Sequence, residues 1–111
     1  MIDLESIAEA IKLQFTEPMH MKFTESYFFD NKHDEFFYTL MNYQIIGAYT
    51  NKNRVIAVVD IKNFQSTSLV AEFAMKSAEK KIIQEIVKRV PEAKSHVDIF
   101  AINNECKYNF T

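Results

Sequence analysis

The residues in this chain that could perform chemistry are three histidines, one cysteine and scattered carboxylates. His96 and Asp98 lie two positions apart in an apolar segment, and such residues share one face of a strand. Cys106 on a following strand could add a third ligand. Zinc sites normally contain close pairs such as Cys-x-x-Cys, which this sequence lacks. We therefore expect no metal and no other cofactor.

The residue types and spacings also give little support for covalent or acid–base catalysis. Cys106 could act as a nucleophile only with a histidine such as His96 beside it and a group that favours the thiolate. Asp34 and Glu35 are adjacent, so on a strand they would point to opposite faces and could not share a site. The single glycine, Gly47, cannot build a glycine-rich phosphate loop. The sequence indicates a protein that is not an enzyme.

The length of 111 residues corresponds to one domain, which we assign to residues 1–111. A single cysteine cannot form an intramolecular disulfide, and this usage is typical of a reducing compartment. The first fifteen residues lack the basic start and apolar run of a secretory signal, and no apolar stretch approaches the roughly 20 residues that span a bilayer. We expect a cytoplasmic protein without membrane contact.

The hydrophobic pattern predicts an α+β domain ordered as helix, three antiparallel strands, long helix and two strands. Apolar residues at helical spacing over 4–15 predict the first helix, with Asp3 as its N-cap. Strict alternation over 19–29 predicts a half-buried strand, and the polar segment 30–34 predicts a turn.

Residues 35–50 allow two interpretations. Their aromatic and branched side chains favour a long strand bent near Gly47, whereas Asp34 and Gly47 could instead delimit a short helix followed by a strand. We favour the strand. A tight turn at 51–53 and an apolar run over 54–61 predict the third strand.

A long helix is expected to follow, because Ser66, Thr67 and Ser68 are all good N-caps and Pro91 stops the pattern. Its apolar stripe consists of Ala71, Met75, Ala78, Ile82, Ile86 and Val90. Strands are predicted over 96–102 and, after a turn, over 106–110. Both helices are expected to pack on one face of an antiparallel sheet.

Aromatic residues are abundant, with 10 Phe and 5 Tyr. Nine of them lie between positions 23 and 49: Phe23, Tyr27, Phe28, Phe29, Phe36, Phe37, Tyr38, Tyr43 and Tyr49. Two helices cover only one face of a sheet, so some of these rings should point the other way. Exposed aromatic rings on a sheet indicate a protein-binding surface or a dimer interface.

Charge is unevenly distributed along the chain. Residues 1–38 carry a net charge of -5, residues 39–94 carry +4, and residues 95–111 carry -1. Lys76, Lys80, Lys81 and Lys88 form a basic helix face, which we interpret as an ordinary solvated surface. A nucleic-acid platform needs Lys and Arg among its aromatic rings, and the aromatic segment has too few, so nucleic acid is disfavoured as a partner.

The order of the predicted elements resembles that of small secretion chaperones, in which helices pack on a twisted antiparallel sheet and the protein dimerises. The composition is also similar to that of immunity proteins and other inhibitors encoded beside toxins. Neither resemblance is carried by a motif, so neither assigns a role to a particular residue.

These observations favour a non-enzymatic protein-binding module, an inhibitor or immunity-type protein that neutralises a basic partner. A hairpin turning at 30–34 would bring acidic and aromatic residues together as contacts. The candidate partner-binding residues are Glu25, Asp30, Asp34, Glu35, Tyr38 and Tyr43. The alternatives are a homodimeric chaperone or scaffold that uses the same sheet face, and a small enzyme or nucleic-acid binder that uses His96, Asp98 and the lysine face of the second helix.

Overall fold

The computed structural model describes the backbone of residues 2–29, 33–62 and 71–102, and the side chains of these ranges except 22–40 and 71–74. The elements are α1 (Leu4–Gln14), β1 (Met19–Phe29), β2 (His33–Asn51), β3 (Arg54–Lys62), α2 (Ala71–Arg89), a 3-10 turn (Pro91–Ala93) and β4 (Val97–Ile102). The predicted α+β class is confirmed, with both helices packed against one sheet. The helix caps predicted at 66–68 and the strand predicted at 106–110 lie outside the described residues.

Helix α1 begins where the sequence predicts. The Asp3 side chain accepts hydrogen bonds from the Ser6 backbone N–H at 3.2 Å and from the Ser6 hydroxyl at 2.7 Å. These two bonds favour the carboxylate and lower the pKa of Asp3. The helix ends at Gln14, and the N–H of the C-cap residue Phe15 donates to the carbonyl of Ile11. Pro18 follows and cannot continue the helix.

Strand β2 pairs antiparallel with β1 on one side and with β3 on the other, which confirms the strand interpretation of residues 35–50. The expected bend near Gly47 is a β-bulge. Ile45 lies opposite Val59 and Gly47 lies opposite Val58, so Ile46 is the extra residue. The turn to β3 has two residues, and Lys52 adopts the positive φ of 57° that tight hairpin turns use.

The prediction of an entirely antiparallel sheet is wrong for the last described strand. The sheet order is β1-β2-β3-β4, and β4 pairs parallel with β3. The reason is the connection: α2 is 19 residues long and carries the chain back along the sheet, so β4 runs in the same direction as β3. Strand β4 begins at Val97, one residue later than predicted.

The core lies between the sheet and the two helices. Met75, Ile82 and Ile86 of the predicted α2 stripe are 4%, 0% and 0% exposed, which confirms that this stripe faces the sheet. Arg89 joins the two helices by donating to the carbonyl of Gln14 at 3.1 Å and by lying 4.6 Å from the centre of the Phe15 ring. Neither α1 nor α2 has the length and hydrophobicity that a bilayer-spanning helix needs.

Candidate functional site

Successive residues of β3 point alternately to the face of the sheet that the helices cover and to the opposite face, here called the open face. Val55, Ala57, Val59 and Ile61 are fully buried beneath the helices, and the residues between them are part-exposed or exposed. Register places β2, β3 and β4 positions in rows across the open face. These rows are Tyr49–Ile56–Asp98, Gly47–Val58–Phe100 and Gln44–Asp60–Ile102.

The centre of the open face is apolar. Tyr49 and Phe100 are each 48% exposed, and Ile46, the extra residue of the bulge, is 55% exposed. Val58 and Ile56 lie between them and are part-buried. Three of the five large exposed apolar side chains in the described part of the chain thus belong to one patch, which is typical of an interaction surface.

Gly47 leaves a gap in this patch. A Cβ built on Gly47 would meet no atom within 4 Å, and its φ is not positive. No close backbone approach or strained conformation therefore requires a glycine here. Gly47 lies opposite Val58, in the row that ends at the half-exposed ring of Phe100.

An ion pair borders the patch and ties β4 to β3. The Arg54 guanidinium donates to both carboxylate oxygens of Asp98, at 2.9 Å from Nε and 2.7 Å from Nη2. It also donates to the backbone carbonyls of Ser95 and Val97. The hydrogen bonds from Arg54 favour the carboxylate and lower the pKa of Asp98. This arrangement orients the start of β4, because four acceptors share one rigid guanidinium.

In the described part of the open face, the positive and negative side chains are equal in number. Arg54 pairs with Asp98, and Lys62 carries the charge opposite to that of Asp60. At the β1 side, the polar pair His20 and Asn42 is joined by a 2.7 Å hydrogen bond. The open face is therefore an apolar patch with a polar and electrically neutral border.

The β1–β2 pair continues beyond the rest of the sheet. Strand β3 ends at Lys62 opposite Asn42, so β2 residues before Asn42 pair only with β1 among the described strands. We call this extension, residues 22–29 and 33–40, the ribbon. Register places four candidate contact residues within it: Glu25 lies opposite Phe37, Glu35 opposite Tyr27, Asp34 opposite Phe28, and Tyr38 opposite Thr24. Asp30 lies outside the described residues.

Tyr43, the remaining candidate, is not a surface residue. It is 3% exposed and belongs to the core with Met41 and Ile45, its neighbours on the helix-facing side of β2. Burial and the nearby carboxylate of Glu85 raise the pKa of its phenol. The interpretation of Tyr43 as a partner contact is therefore corrected, because the strand alternation directs this ring beneath α2.

The residues considered for catalysis lie in different environments. Asp98 is engaged by Arg54 on the open face, whereas His96 precedes β4 and lines a groove of about 630 Å³ beside α1. That groove has side chains of both charge signs, including Asp3, Glu92 and Lys94. Within the described ranges, no three His, Cys, Asp or Glu side chains form a group that could hold a metal ion, and Cys106 lies outside them.

The central residues of the open face are not among the contact residues predicted from the sequence. The signal was present in β3, where Ile56 and Val58 are apolar although they alternate with the fully buried positions. A strand that is apolar on both faces indicates that the second face is also covered or available for contact. Phe100 gives the same signal in β4, where it is two positions from Asp98.

No protein-family model matches the chain, and no curated protein and no solved structure is detectably similar to it.

Proposed function

We propose that this protein is a non-enzymatic binding module that holds or neutralises a basic protein partner, as a small inhibitor or immunity-type protein does. The contact segment is the ribbon, residues 22–29 and 33–40. Asp30, in the connection between its two strands, belongs to the same acidic segment of the sequence.

The observation that carries the proposal is the extension of the ribbon beyond β3. A two-stranded antiparallel ribbon is marginally stable by itself in water, because a single pair of strands buries little apolar surface. The ribbon has no third strand beside it among the described elements. A protein partner that packs against it would add apolar burial, and the many aromatic residues of this segment suit such a contact.

The sequence of the ribbon favours a basic partner. Glu25, Asp34 and Glu35 are its acids, against the single base Lys22. Along the ribbon, the Tyr27–Glu35 pair is only two positions from the Glu25–Phe37 pair. The acids are therefore concentrated toward the end of the ribbon that is farther from β3. Opposite charges on a partner accelerate the encounter, and aromatic residues such as Tyr38 act as anchors in the complex.

The environment of Asp98 argues against its use as a general acid. Both of its carboxylate oxygens accept from Arg54, and the lowered pKa keeps the group ionised. A carboxylate held in this way is a poor proton donor at neutral pH. His96 precedes β4, and the ion pair of Asp98 is with Arg54.

The first experiment identifies the partner by site-specific photo-crosslinking in cells that produce the protein. A photoreactive residue replaces Tyr38 in the ribbon, and the same residue replaces the exposed Lys88 of α2 in a matched control. We expect one discrete adduct with a basic protein from position 38 and none from position 88. An adduct from position 88 alone would place the contact surface on α2.

The second experiment measures the kinetics of the complex with that partner. The triple variant Glu25→Lys, Asp34→Lys, Glu35→Lys should associate about tenfold or more slowly at low salt and lose its salt dependence. Tyr38→Ala should mainly accelerate dissociation. The control variant, Lys80→Glu with Lys88→Glu, should change little. Binding that survives the acid reversals and fails after the lysine reversals would contradict the proposal and indicate an acidic partner or nucleic acid.

A further inference from the structure

The outer edge of β1 presents backbone groups that pair with no described strand. The sheet order places β1 at one end, beside β2. Residues of a strand within an antiparallel ladder direct their N–H and C=O groups alternately to one neighbouring strand and to the other. The N–H of Val55 donates to the carbonyl of His96, on the β4 side of β3. The backbone groups of Arg54 and Ile56, the residues before and after Val55, therefore face β2.

The same alternation identifies the outward groups of β1. It is unbroken along β3 as far as Lys62, so Lys62 also faces β2, and Asn42 opposite it faces β3. The neighbouring residue Met41 therefore faces β1, where it lies opposite Met21, and Met21 faces β2 in return. The alternate residues of β1 direct their N–H and C=O groups away from the sheet: His20, Lys22, Thr24, Ser26 and Phe28.

Strand β1 lacks the features that usually protect an edge strand against a further strand. Such edges are short, or carry prolines, bulges or several lysines. Strand β1 has 11 residues, and its ladder with β2 shows no shift of register. Pro18 precedes the strand, no proline lies within it, and Lys22 is its single lysine. The edge is therefore suited to pairing with an added strand.

We propose that the basic partner adds an extended segment of its own chain to the outer edge of β1 as a fifth strand of the sheet, an inference that rests on the function proposed above. In this mode of recognition, main-chain hydrogen bonds to the edge provide affinity, and alternate side chains of the added segment provide specificity. The added strand also gives the ribbon a third strand, which a sheet needs for independent stability.

The charge of the ribbon favours a basic segment over β1 of a second copy. The acids Glu25, Asp34 and Glu35 outnumber the single base Lys22. A second copy would bring the same excess of negative charge to the edge, whereas a basic segment is attracted to it. The register supports this choice, because Glu25 lies diagonally across the strands from Glu35 on one face of the ribbon.

The sequence of β1 also predicts a pattern for the added segment. Glu25 lies between Phe23 and Tyr27 on the same face, since alternate residues of a strand share a face. A Lys or Arg opposite Glu25, with apolar residues two positions before and after it, makes a favourable cross-strand pair with each of these three residues. The partner segment is therefore an alternating one with a basic residue at its centre.

Amide hydrogen exchange followed by NMR tests the edge directly. In the isolated protein, the outward amides of Lys22, Thr24 and Ser26 should exchange faster than the inward amides of Phe23 and Glu25. The purified partner that crosslinking at Tyr38 identifies should slow the outward amides at least about tenfold. Outward amides that are already protected in a monomer would show that a segment of the same chain covers the edge, and protection in a dimer would show that a second copy does. Either result would overturn the inference.

Proline at an outward position tests the contribution of the edge to binding. Thr24→Pro removes an outward N–H and none of the hydrogen bonds between β1 and β2, whereas Thr24→Ala shortens the side chain and keeps the N–H. The proline variant should bind the partner at least about tenfold more weakly than the alanine variant, because a donor is lost and the ring obstructs the added strand. Its association should keep the salt dependence of the native chain, since no charge has changed.

The outcomes separate this inference from the proposed function. Circular dichroism and thermal unfolding of the free variants should show that both Thr24 variants fold, and hydrogen exchange of the native chain provides a second readout that needs no variant. Equal affinities of Thr24→Pro and Thr24→Ala, with outward amides that the partner leaves unprotected, would overturn strand addition, while a loss of affinity after the acid reversals would still support the basic partner. The absence of any adduct from position 38 would remove the partner and strand addition together.

Discussion

Replacing Ile82 with Ala tests whether α2 is held against the sheet by its apolar stripe. Ile82 is 0% exposed and lies one turn from Ala78 and Ile86, which are also fully buried. The change removes three carbon atoms, worth about 0.8 kcal/mol each and about 2.4 kcal/mol together. A residual cavity of about 50 Å³ would add about 1.2 kcal/mol at roughly 24 cal/mol per Å³. We expect the free energy of unfolding to fall by about 3–4 kcal/mol.

Urea denaturation monitored by far-ultraviolet circular dichroism measures this loss. The melts should be carried out in dilute solution, so that self-association does not contribute to the unfolding free energy. Leu13→Ala on the exposed side of α1 is the control and should change the stability by less than about 0.5 kcal/mol. A similarly small loss for Ile82→Ala at an unchanged denaturant slope would refute the packing of this stripe against the sheet.

Two further predictions concern ionisable groups. Arg54→Met should destabilise the chain by about 1 kcal/mol, since the ion pair is largely exposed, and should accelerate amide exchange in β4. Because the folded pKa of Asp98 is lowered, its stabilising contribution is present above about pH 4–5 and is lost as the pH falls through the folded value. The Asp98→Asn variant should therefore have a lower free energy of unfolding than the native chain at pH 7 and the same free energy near pH 2. A difference that persists near pH 2 would indicate a cause other than the carboxylate charge. Burial raises the pKa of Glu79, so its contribution is present at low pH and is lost as the pH rises through the folded value. Glu79→Gln should stabilise the chain at pH 7 and not at pH 3, and equal melting curves at both pH values would exclude this effect.

The elements that depend on local pattern could be predicted from the sequence. The Asp3 cap and the α1 stripe depend on residues within a turn or two of one another, and so does the stripe from Met75 to Val90 on α2. The hairpin turn at Lys52 and Asn53 is equally local. Helical and strand periods are properties of neighbouring residues, so no knowledge of the rest of the fold was needed.

The exposure of individual aromatic rings required the tertiary structure. The bulge at Ile46 adds one residue to β2, and this reverses which positions face the helices. Before the bulge Tyr43 is buried, and after it Ala48 is buried while Tyr49 is exposed. Unbroken alternation would have placed both tyrosines on the same face, so the surface contact expected at Tyr43 could not be excluded from the sequence.

The composition of the open face likewise depends on contacts between distant parts of the chain. By itself the sequence determined that this is an α+β domain with two amphipathic helices and an apolar third strand. Only the pairing of β4 parallel to β3 brings Phe100 into the row of Val58 and Gly47, which are 42 and 53 positions away in the sequence. Strand register is chosen by the burial of the whole sheet under its helices, and no local pattern encodes that choice.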